Sequence, residues 1–92
     1  MAMVVLKGFI DIPRESWDVV IAELPTHVRL TLDEEGCQCF EVQPVEDMPF
    51  RLSVYEEFAS EGAFEKHQQR VKGSTWGKLT EKAERHYEIT QR

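Results

Sequence analysis

The spacing of apolar residues changes several times along the chain, and each change predicts a new element. Segment 4–12 is rich in β-branched and apolar residues and ends at Pro13, which predicts a strand followed by the start of a helix. A stripe of apolar residues at helical spacing comes next: Trp17, Val20, Ile21, Leu24, Val28 and Leu32. Pro25 falls inside this stripe without shifting its phase, so we expect one kinked helix that ends before Gly36.

Two segments with a period of two follow the helix. Segments 37–43 and 50–58 alternate residue types, which is typical of strands, and a short turn joins them. We therefore expect an antiparallel hairpin. One face of the second strand is predicted to carry Phe50, Leu52, Val54, Glu56 and Phe58.

The last third of the chain predicts two helices and a closing strand. Ser60 and Ser74 are suited to cap the helices, and Gly73 separates them. A strand over 85–90 completes the order β-α-β-β-α-β, so residues 1–92 are predicted to form one α+β domain of ferredoxin-like pattern. Helices on one face of the sheet leave the other face bare, which favours coverage by a second copy.

Charge and composition exclude several classes of function. The net charge is −6, and the acidic surplus lies entirely before residue 55; its longest run, 33–35, indicates a solvated turn. No cluster of Lys and Arg exists to bind nucleic acid, and no apolar run is long enough for a membrane helix. The start lacks the features of a signal peptide, and the chain has only two cysteines, so we expect a cytoplasmic location.

Three short motifs follow one another along the chain. Segment 36–42 begins a strand with Gly-Cys, segment 54–58 ends one with Val-Tyr-Glu-Glu-Phe, and segment 63–67 reads Ala-Phe-Glu-Lys-His on the next helix. In their order and spacing these motifs resemble the antibiotic biosynthesis monooxygenase (ABM) family, and the resemblance covers nearly the whole chain. It implies a homodimeric α/β barrel of two ferredoxin-like subunits, each with a mostly apolar pocket between its sheet and its helices.

The same resemblance implies a set of reactions. Many members of the family oxidise phenols or quinols with O₂ and use neither a metal nor a flavin, whereas others isomerise small sugars or degrade haem. The haem-degrading branch uses an Asn, a Trp and a downstream His. This chain contains no Asn, and Trp76 follows His67, so haem degradation is set aside. Family membership predicts the fold better than the reaction.

His67 is the first candidate for chemistry. An imidazole titrates near neutral pH, so it can accept a phenolic proton or orient a phenolate. A hydrogen-bonded structural histidine is the alternative, and a position beside Phe64 on an apolar stripe fits both. Glu56 shares a strand face with apolar residues and therefore needs a partner, either His67 or Arg85. It is predicted to position His67 or to form a structural salt bridge.

Aromatic residues are candidates for the walls of the pocket. Trp76, Phe58 and Phe64 are predicted to line it around a small aromatic substrate, with ordinary core packing as the alternative. His27 is predicted to lie on a solvated helix face or at the pocket mouth. His86 is predicted to be exposed on the last strand.

Cys37 and Cys39 do not predict a metal or redox site. On a regular strand their Cβ atoms would share a face at roughly 6 to 7 Å, which is too far for a disulfide. The three histidines offer no paired spacing for zinc. We expect buried free thiols, and neither a metal nor another cofactor.

Two kinds of function therefore remain. The first is a cofactor-independent monooxygenase that oxidises a small phenolic or quinol aromatic with O₂, with His67 and Glu56 as its catalytic residues. The second is an isomerase, a protein that binds a small molecule without chemistry, or a dimeric scaffold without a cavity. Oxygen consumption with a panel of hydroquinones separates the two.

Overall fold

The computed structural model describes residues 2–92 and confirms the predicted order of elements. The strands and helices are β1 (Val4–Asp11), α1 (Trp17–Leu32), β2 (Cys37–Pro44), β3 (Arg51–Phe58), α2 (Glu61–Lys72), α3 (Thr75–Leu79) and β4 (Glu84–Gln91). A 3₁₀ turn over Arg14–Ser16 follows Pro13 and leads into α1. No helix in the described part of the chain is long and apolar enough to cross a membrane.

The four strands form one antiparallel sheet in the order β2-β3-β1-β4. β1 and β3 therefore lie in the middle, while β2 and β4 form the two edges. Leu6 on β1 lies opposite Glu56 on β3 and Ile89 on β4. This topology is the ferredoxin-like α+β fold that the order of elements predicts.

The core lies between the helices and one face of the sheet, here called the inner face. The buried inner-face residues of β3 are Leu52, Val54, Glu56 and Phe58. They alternate as predicted, because successive side chains of a strand point to opposite faces. Val20 on α1 and Trp76 on α3 close the core from the helix side. The sheet thus carries one carboxylate into an otherwise apolar layer.

α1 runs through Pro25 without a break, which confirms the prediction of a single helix. Its buried face nevertheless differs from the predicted stripe. His27 and Thr31 are buried, whereas Leu32 is 53 % exposed. The prediction was wrong because it followed the apolar side chains, although positions 27 and 31 also lie in helical phase with the buried Val20.

Two serines cap the later helices as predicted. The side chain of Ser60 accepts a hydrogen bond from the backbone N–H of Ala63, and that of Ser74 accepts one from Gly77. These bonds satisfy backbone donors that have no partner inside a helix. The caps fix where α2 and α3 begin, and hence which side chains face the sheet.

β3 begins one residue later than predicted. Phe50 has a φ of 65°, in the left-handed region that a bulky residue rarely adopts. Its ring packs edge-on against Trp17, with the ring centroids 5.7 Å apart. Phe50 therefore ends the turn and contacts α1 instead of starting the strand.

The two cysteines are free thiols, but they do not share a strand face as predicted. A register irregularity lies between them: Cys37 pairs with Phe58 on the inner face, whereas Cys39 pairs with Glu57 on the opposite face. Both are half-buried rather than buried. Loss of solvation raises the pKa of each thiol, so both are weak nucleophiles near neutral pH.

The opposite face of the sheet, here called the outer face, has no helix packed on it. It is mixed rather than uniformly apolar, since Phe9 and Tyr55 lie among charged side chains. Arg51 lies 3.6 Å above the ring of Phe9 and donates to both carboxylate oxygens of Asp11. His86 stacks on the same ring and is exposed, as predicted.

Candidate functional site

His67 projects from α2 into the core and is only 3 % exposed. Its Nδ1 lies 2.9 Å from Oε2 of Glu34. Because a carboxylate has no proton to give, Nδ1 carries the hydrogen and donates it, which leaves a lone pair on Nε2. Burial lowers the pKa of His67, although the hydrogen bond to Glu34 opposes the shift. The imidazole is therefore neutral near pH 7 and can act as a base.

Glu34 is a site residue that the sequence did not reveal, because it belongs to the acidic run interpreted as a solvated turn. Nε of Arg70 donates to its carboxylate at 2.7 Å, and Nη2 of Arg70 donates to Oγ1 of Thr31 at 2.9 Å. His67 and Arg70 are three residues apart on α2 and so share a side of that helix. In the sequence, the sign of an acidic partner was therefore this pair of nitrogen donors, three residues apart on one predicted helix.

Glu56 lies on the inner face, and its Oε1 is buried without a hydrogen-bond partner. Oε1 is 3.9 Å from Nε2 of His67, which is beyond hydrogen-bond distance. Arg85, the other predicted partner, donates instead to Thr80. Burial, with a smaller contribution from the charge of Glu34, raises the pKa of Glu56 to about 8. Near pH 7 the side chain is mostly protonated and can donate a proton or a hydrogen bond.

His27 is buried, so the prediction of a solvated helix face was wrong. Its ring stacks on the indole of Trp76, with centroids 4.4 Å apart and planes 3° apart. Its Nδ1 is also buried and has no hydrogen-bond partner. Burial, with a smaller contribution from His67, lowers the pKa of His27 to about 3, and the ring is neutral near pH 7.

Aromatic rings surround the two buried histidines. The centroid of Phe58 lies 4.9 Å from that of His67, and Phe64 packs against Phe58 at 5.7 Å. Phe40 contacts both histidines, at 5.8 Å from His67 and 5.3 Å from His27. The predicted site residues therefore form one cluster, and these rings fill the space between the sheet and the helices.

A cavity of about 490 Å³ opens beside this cluster, where the turn after α1 meets the start of α2. Its charged lining comes from Glu34, Glu35, Lys66 and Arg70, whereas the aromatic rings predicted to wall a pocket do not border it. The side chain of Glu34 is 15 % exposed and also holds His67. Glu34 thus connects the buried base to solvent.

One group of possible metal ligands occurs among residues 2–92, and it lies on the outer face. Asp11, Glu84 and His86 each offer an atom within 4.8 Å of the others. Both carboxylate oxygens of Asp11 are already bonded to Arg51, and the other two side chains are exposed. A cation would have to compete with this guanidinium, so the group is poorly suited to hold a metal.

Solved structures share the fold over nearly the full length of the chain. A Bacteroides thetaiotaomicron protein of unknown function, described as a possible oxidoreductase, has a TM-score of 0.76 at 14 % identity, covering 99 % of this chain and 98 % of its own. A conserved Methanosarcina mazei protein has a TM-score of 0.69 at 23 % identity, and the match covers 100 % of this chain and 91 % of that protein. A Deinococcus radiodurans protein described as a candidate antibiotic biosynthesis monooxygenase has a TM-score of 0.70 at 17 % identity, and the match covers 97 % of this chain and 89 % of that protein. These identities establish the fold alone. No curated protein sequence matched the chain.

The family described as antibiotic biosynthesis monooxygenase matches residues 3–76. The matched range contains Glu34, Glu56 and His67, and its last residue is Trp76. It also contains β1, the hairpin of β2 and β3, and all of α2. Since the match covers most of the domain and the fold agrees with it, this chain belongs to the antibiotic biosynthesis monooxygenase family.

Proposed function

We propose that this protein is a cofactor-independent monooxygenase that oxidises a small phenol or quinol with O₂. The observation that carries the proposal is the buried pair of His67 and Glu34. Nδ1 of His67 is engaged by a carboxylate at 2.9 Å, and Nε2 keeps its lone pair on the side of Glu56. A neutral, oriented imidazole inside an aromatic layer is suited to remove the proton of an aromatic hydroxyl.

The reaction begins at Nε2 of His67, which takes the phenolic proton. The resulting phenolate is electron-rich and passes one electron to O₂. The phenoxyl radical and superoxide then combine at a ring carbon that carries hydrogen. With the proton returned, the ring hydroperoxide loses water and leaves a quinone, so that one phenol and one O₂ give one quinone and one water. The chain supplies the base, the orientation and the exclusion of bulk water.

Glu56 acts as the acid of the site. Because its pKa is raised to about 8, the protonated form is available near pH 7 and can give a proton to the peroxide oxygen as water leaves. In the same step His67 takes the proton of the ring carbon, and it then returns that proton to Glu56. Burial lowers the pKa of His67 and raises that of Glu56. Near pH 7 His67 is therefore a neutral base, and Glu56 is a protonated acid. The activity should therefore decline as the pH rises through about 8, when Glu56 loses its proton.

Phe58, Phe64 and Trp76 form the walls of the substrate site. Phe58 on β3 holds the sheet side of the cluster next to His67, and Phe64 on α2 packs against it. Trp76 closes the helix side through its stack on His27. Rings of this kind bind a planar aromatic by stacking and edge contacts. Binding requires the rings to separate, and Trp76 on the five-residue α3 is the wall best suited to move.

The working unit is a homodimer in which a second copy covers the outer face. Phe9 and Tyr55 lie on that face without a helix above them, and the family resemblance implies a barrel of two sheets. Sedimentation that gives a stable 10.7 kDa monomer at micromolar concentration would contradict this assembly. The free thiols are in keeping with a cytoplasmic location.

Oxygen uptake with a panel of hydroquinones and phenols tests the reaction. Replacing the proposed base in His67→Ala should lower the rate by about 100-fold or more, since general-base contributions are of that order. Gln69→Ala is the matched control, because this side chain is exposed on the same helix as His67, and its rate should stay at the wild-type level. Equal rates for the wild type and His67→Ala would remove His67 from the mechanism.

A second candidate function is favoured by the closed packing of the cluster. The rings of Phe40, Phe58 and Trp76 fill the space between sheet and helices, as expected of a dimeric scaffold without chemistry. Failure of the folded protein to bind a hydroquinone would favour this scaffold over the monooxygenase. Binding without oxygen consumption would instead favour an isomerase or a protein that only binds the aromatic.

A further inference from the structure

We propose that His27 is a substrate-binding residue that recognises a second polar substituent on the aromatic ring, distinct from the hydroxyl that reacts at His67. This inference rests on the proposed site between the sheet and the helices. It does not require that the bound aromatic be oxidised. It assigns a role to a buried imidazole that the proposed reaction leaves unused.

The argument begins with the unsatisfied nitrogen. Nδ1 of His27 is buried and has no hydrogen-bond partner within the chain. Buried polar atoms are almost always paired, so an unpaired one calls for a specific explanation. A ligand atom that is absent from the protein alone is one such explanation, and it fits a site lined by rings.

The neighbours of His27 cannot supply the missing bond. Trp76 stacks with its plane 3° from that of the imidazole, so its indole N–H cannot point at a nitrogen lone pair in the imidazole plane. Phe40 presents only carbon. The hydroxyl of Thr31 donates to the backbone carbonyl of His27 and accepts from Arg70, which leaves it committed elsewhere. An external group is the remaining partner.

The position of His27 matches a ring held at His67. The two imidazole centroids are 6.3 Å apart, and Phe40 packs against both. The two oxygens of a para-dihydroxybenzene lie at a similar separation, so a ring lying alongside both imidazoles can meet Nε2 of His67 with one hydroxyl while the other reaches Nδ1 of His27. Both imidazoles are neutral near pH 7, so each can pair with an uncharged hydroxyl.

Entry of the ligand requires Trp76 to leave its stack. Trp76 is held on α3, which has only five residues and is bounded by turns on both sides. When the indole moves, it opens space beside the imidazole of His27, and the ligand hydroxyl approaches Nδ1 in the plane of that ring. The substrate class is therefore an aromatic with a hydroxyl and a second hydrogen-bonding group, in preference to an aromatic with one hydroxyl.

Anaerobic binding measures this preference without any need for turnover. Hydroquinone is compared with 4-methylphenol, in which a methyl group replaces the second hydroxyl, by calorimetric titration of the wild type, His27→Phe and His27→Asn. The wild type should bind hydroquinone about tenfold more tightly, because a site built to pair a hydroxyl rejects an analogue that lacks it. His27→Phe should bind both equally, and His27→Asn should recover part of the preference.

The stability of the same variants separates a binding role from a structural one. His27→Phe removes an unpaired buried nitrogen, so its thermal midpoint should equal or exceed that of the wild type. If Phe is too large for the site to fold, His27→Leu gives the same comparison. A structural histidine would instead leave a destabilised protein whose preference for hydroquinone persists.

The outcomes distinguish this inference from the proposed reaction. A preference for hydroquinone that disappears in His27→Phe, in a protein that consumes no O₂, supports the inference and ends the monooxygenase proposal. Oxygen uptake by a wild type that binds both aromatics equally, or by His27→Phe with the preference intact, overturns the inference and leaves the reaction standing. Failure of the wild type to bind either aromatic also overturns it.

Discussion

The two faces of the sheet use the same types of side chain in opposite ways. Glu56 and Glu57 are neighbours on β3, yet Glu56 is buried with an unpaired Oε1, whereas Glu57 pairs with the hydroxyl of Tyr55 on the outer face. Likewise, His67 is 3 % exposed among rings, and His86 is exposed beside Phe9. Because adjacent residues of a strand point to opposite faces, Glu56 is buried and has a raised pKa, whereas Glu57 is partly exposed.

The comparison separates features that stabilise from features that serve a site. On the outer face, polar groups find partners: Arg51 donates twice to Asp11 and lies over an aromatic ring. Between the inner face and the helices, Nδ1 of His27 and Oε1 of Glu56 have none, and both groups have strongly shifted pKa values. Unpaired, shifted groups gathered in one place are characteristic of functional sites.

The largest expected effect is a change in the pH dependence of stability when Glu56 is replaced, with its strand neighbour Glu57 as the comparison. The pKa of Glu56 rises from its ordinary 4.5 to about 8 on folding. The folded state therefore holds the proton more tightly, so this contribution to stability is complete below pH 4.5 and is lost as the pH rises through about 8. Glu56→Gln abolishes the loss, and near pH 9 this variant should be more stable than the wild type by up to about 5 kcal/mol.

Urea unfolding between about pH 5 and pH 9 checks this difference, with Glu57→Gln as the control. The control should follow the wild type across the range. His27 and His67 contribute in the opposite sense, because their lowered pKa values make stability fall as the pH drops below their ordinary 6.5. Parallel curves for Glu56→Gln and the wild type would mean that burial does not raise the pKa of Glu56.

The next largest effect is on stability and on the pKa of His67, and it is expected when Glu34 is replaced. Its neighbour Glu35 in the same acidic run serves as the comparison. Glu34→Gln keeps an acceptor but removes the charge that His67 and Arg70 share, which should cost about 1 to 3 kcal/mol of unfolding free energy. Because Glu34 raises the pKa of His67 against the effect of burial, this pKa should fall further in the variant. NMR titration of the ring protons measures the shift.

Glu35→Gln is the matched control, since that side chain is exposed in the same turn. Its stability and the titration of His67 should stay close to those of the wild type. In kinetics, the acidic limb of the rate profile should move to lower pH in Glu34→Gln alone. An unmoved His67 titration in that variant would mean that Glu34 does not act on the base.

The fold was predictable because its signals are local. Alternation in β3, the serines that precede α2 and α3, and the glycine between those helices each determine one element, and the order of elements then leaves one topology. The family resemblance rested on the same segments. The errors were also local: the left-handed φ of Phe50 and the irregularity at Cys37 shift strand geometry by one residue.

The site was only partly predictable, because hydropathy conceals polar residues that fold inward. His67, Glu56 and the rings were found from a strand face and a motif. His27 and Glu34 were missed, since a buried histidine and a carboxylate in an acidic turn both look solvated in the sequence. What brings them inward is the contact of α1 with the sheet and the pair of donors on α2, which are long-range properties of the fold.

A smaller loss of stability is expected when α3 is displaced, because its Trp76 covers the core above the inner face. A Cβ at Gly77 would lie 2.1 Å from the backbone oxygen of Val71, so Gly77→Ala must push α3 away from α2. We expect a loss of about 1 to 3 kcal/mol, as for other overpacked sites, and greater exposure of Trp76. Fluorescence of Trp76 in a Trp17→Phe background should shift to longer wavelength.

Gly73→Ala is the control for this displacement, because its Cβ would lie 3.9 Å from the nearest atom, at ordinary contact distance. Its φ of −94° is accessible to alanine. Its emission should match that of the Trp17→Phe parent. If Gly77→Ala leaves the emission unchanged as well, α3 adjusts without moving its indole, and the inner face is more rigid than its short cover suggests.

The smallest effect is expected on the outer face, at the pair of Asp11 and Arg51. Asp11→Asn removes a partly exposed ion pair but leaves Arg51 over Phe9, so the thermal midpoint should fall less than in Glu34→Gln or Gly77→Ala. The difference should vanish in about 1 M salt, which screens exposed charges. Arg51→Gln should cost more, since it also removes the stack on Phe9. A large loss in Asp11→Asn that grows on dilution would mean that the second copy proposed to cover the outer face also buries this pair, and the pair would then stabilise the dimer rather than the single chain.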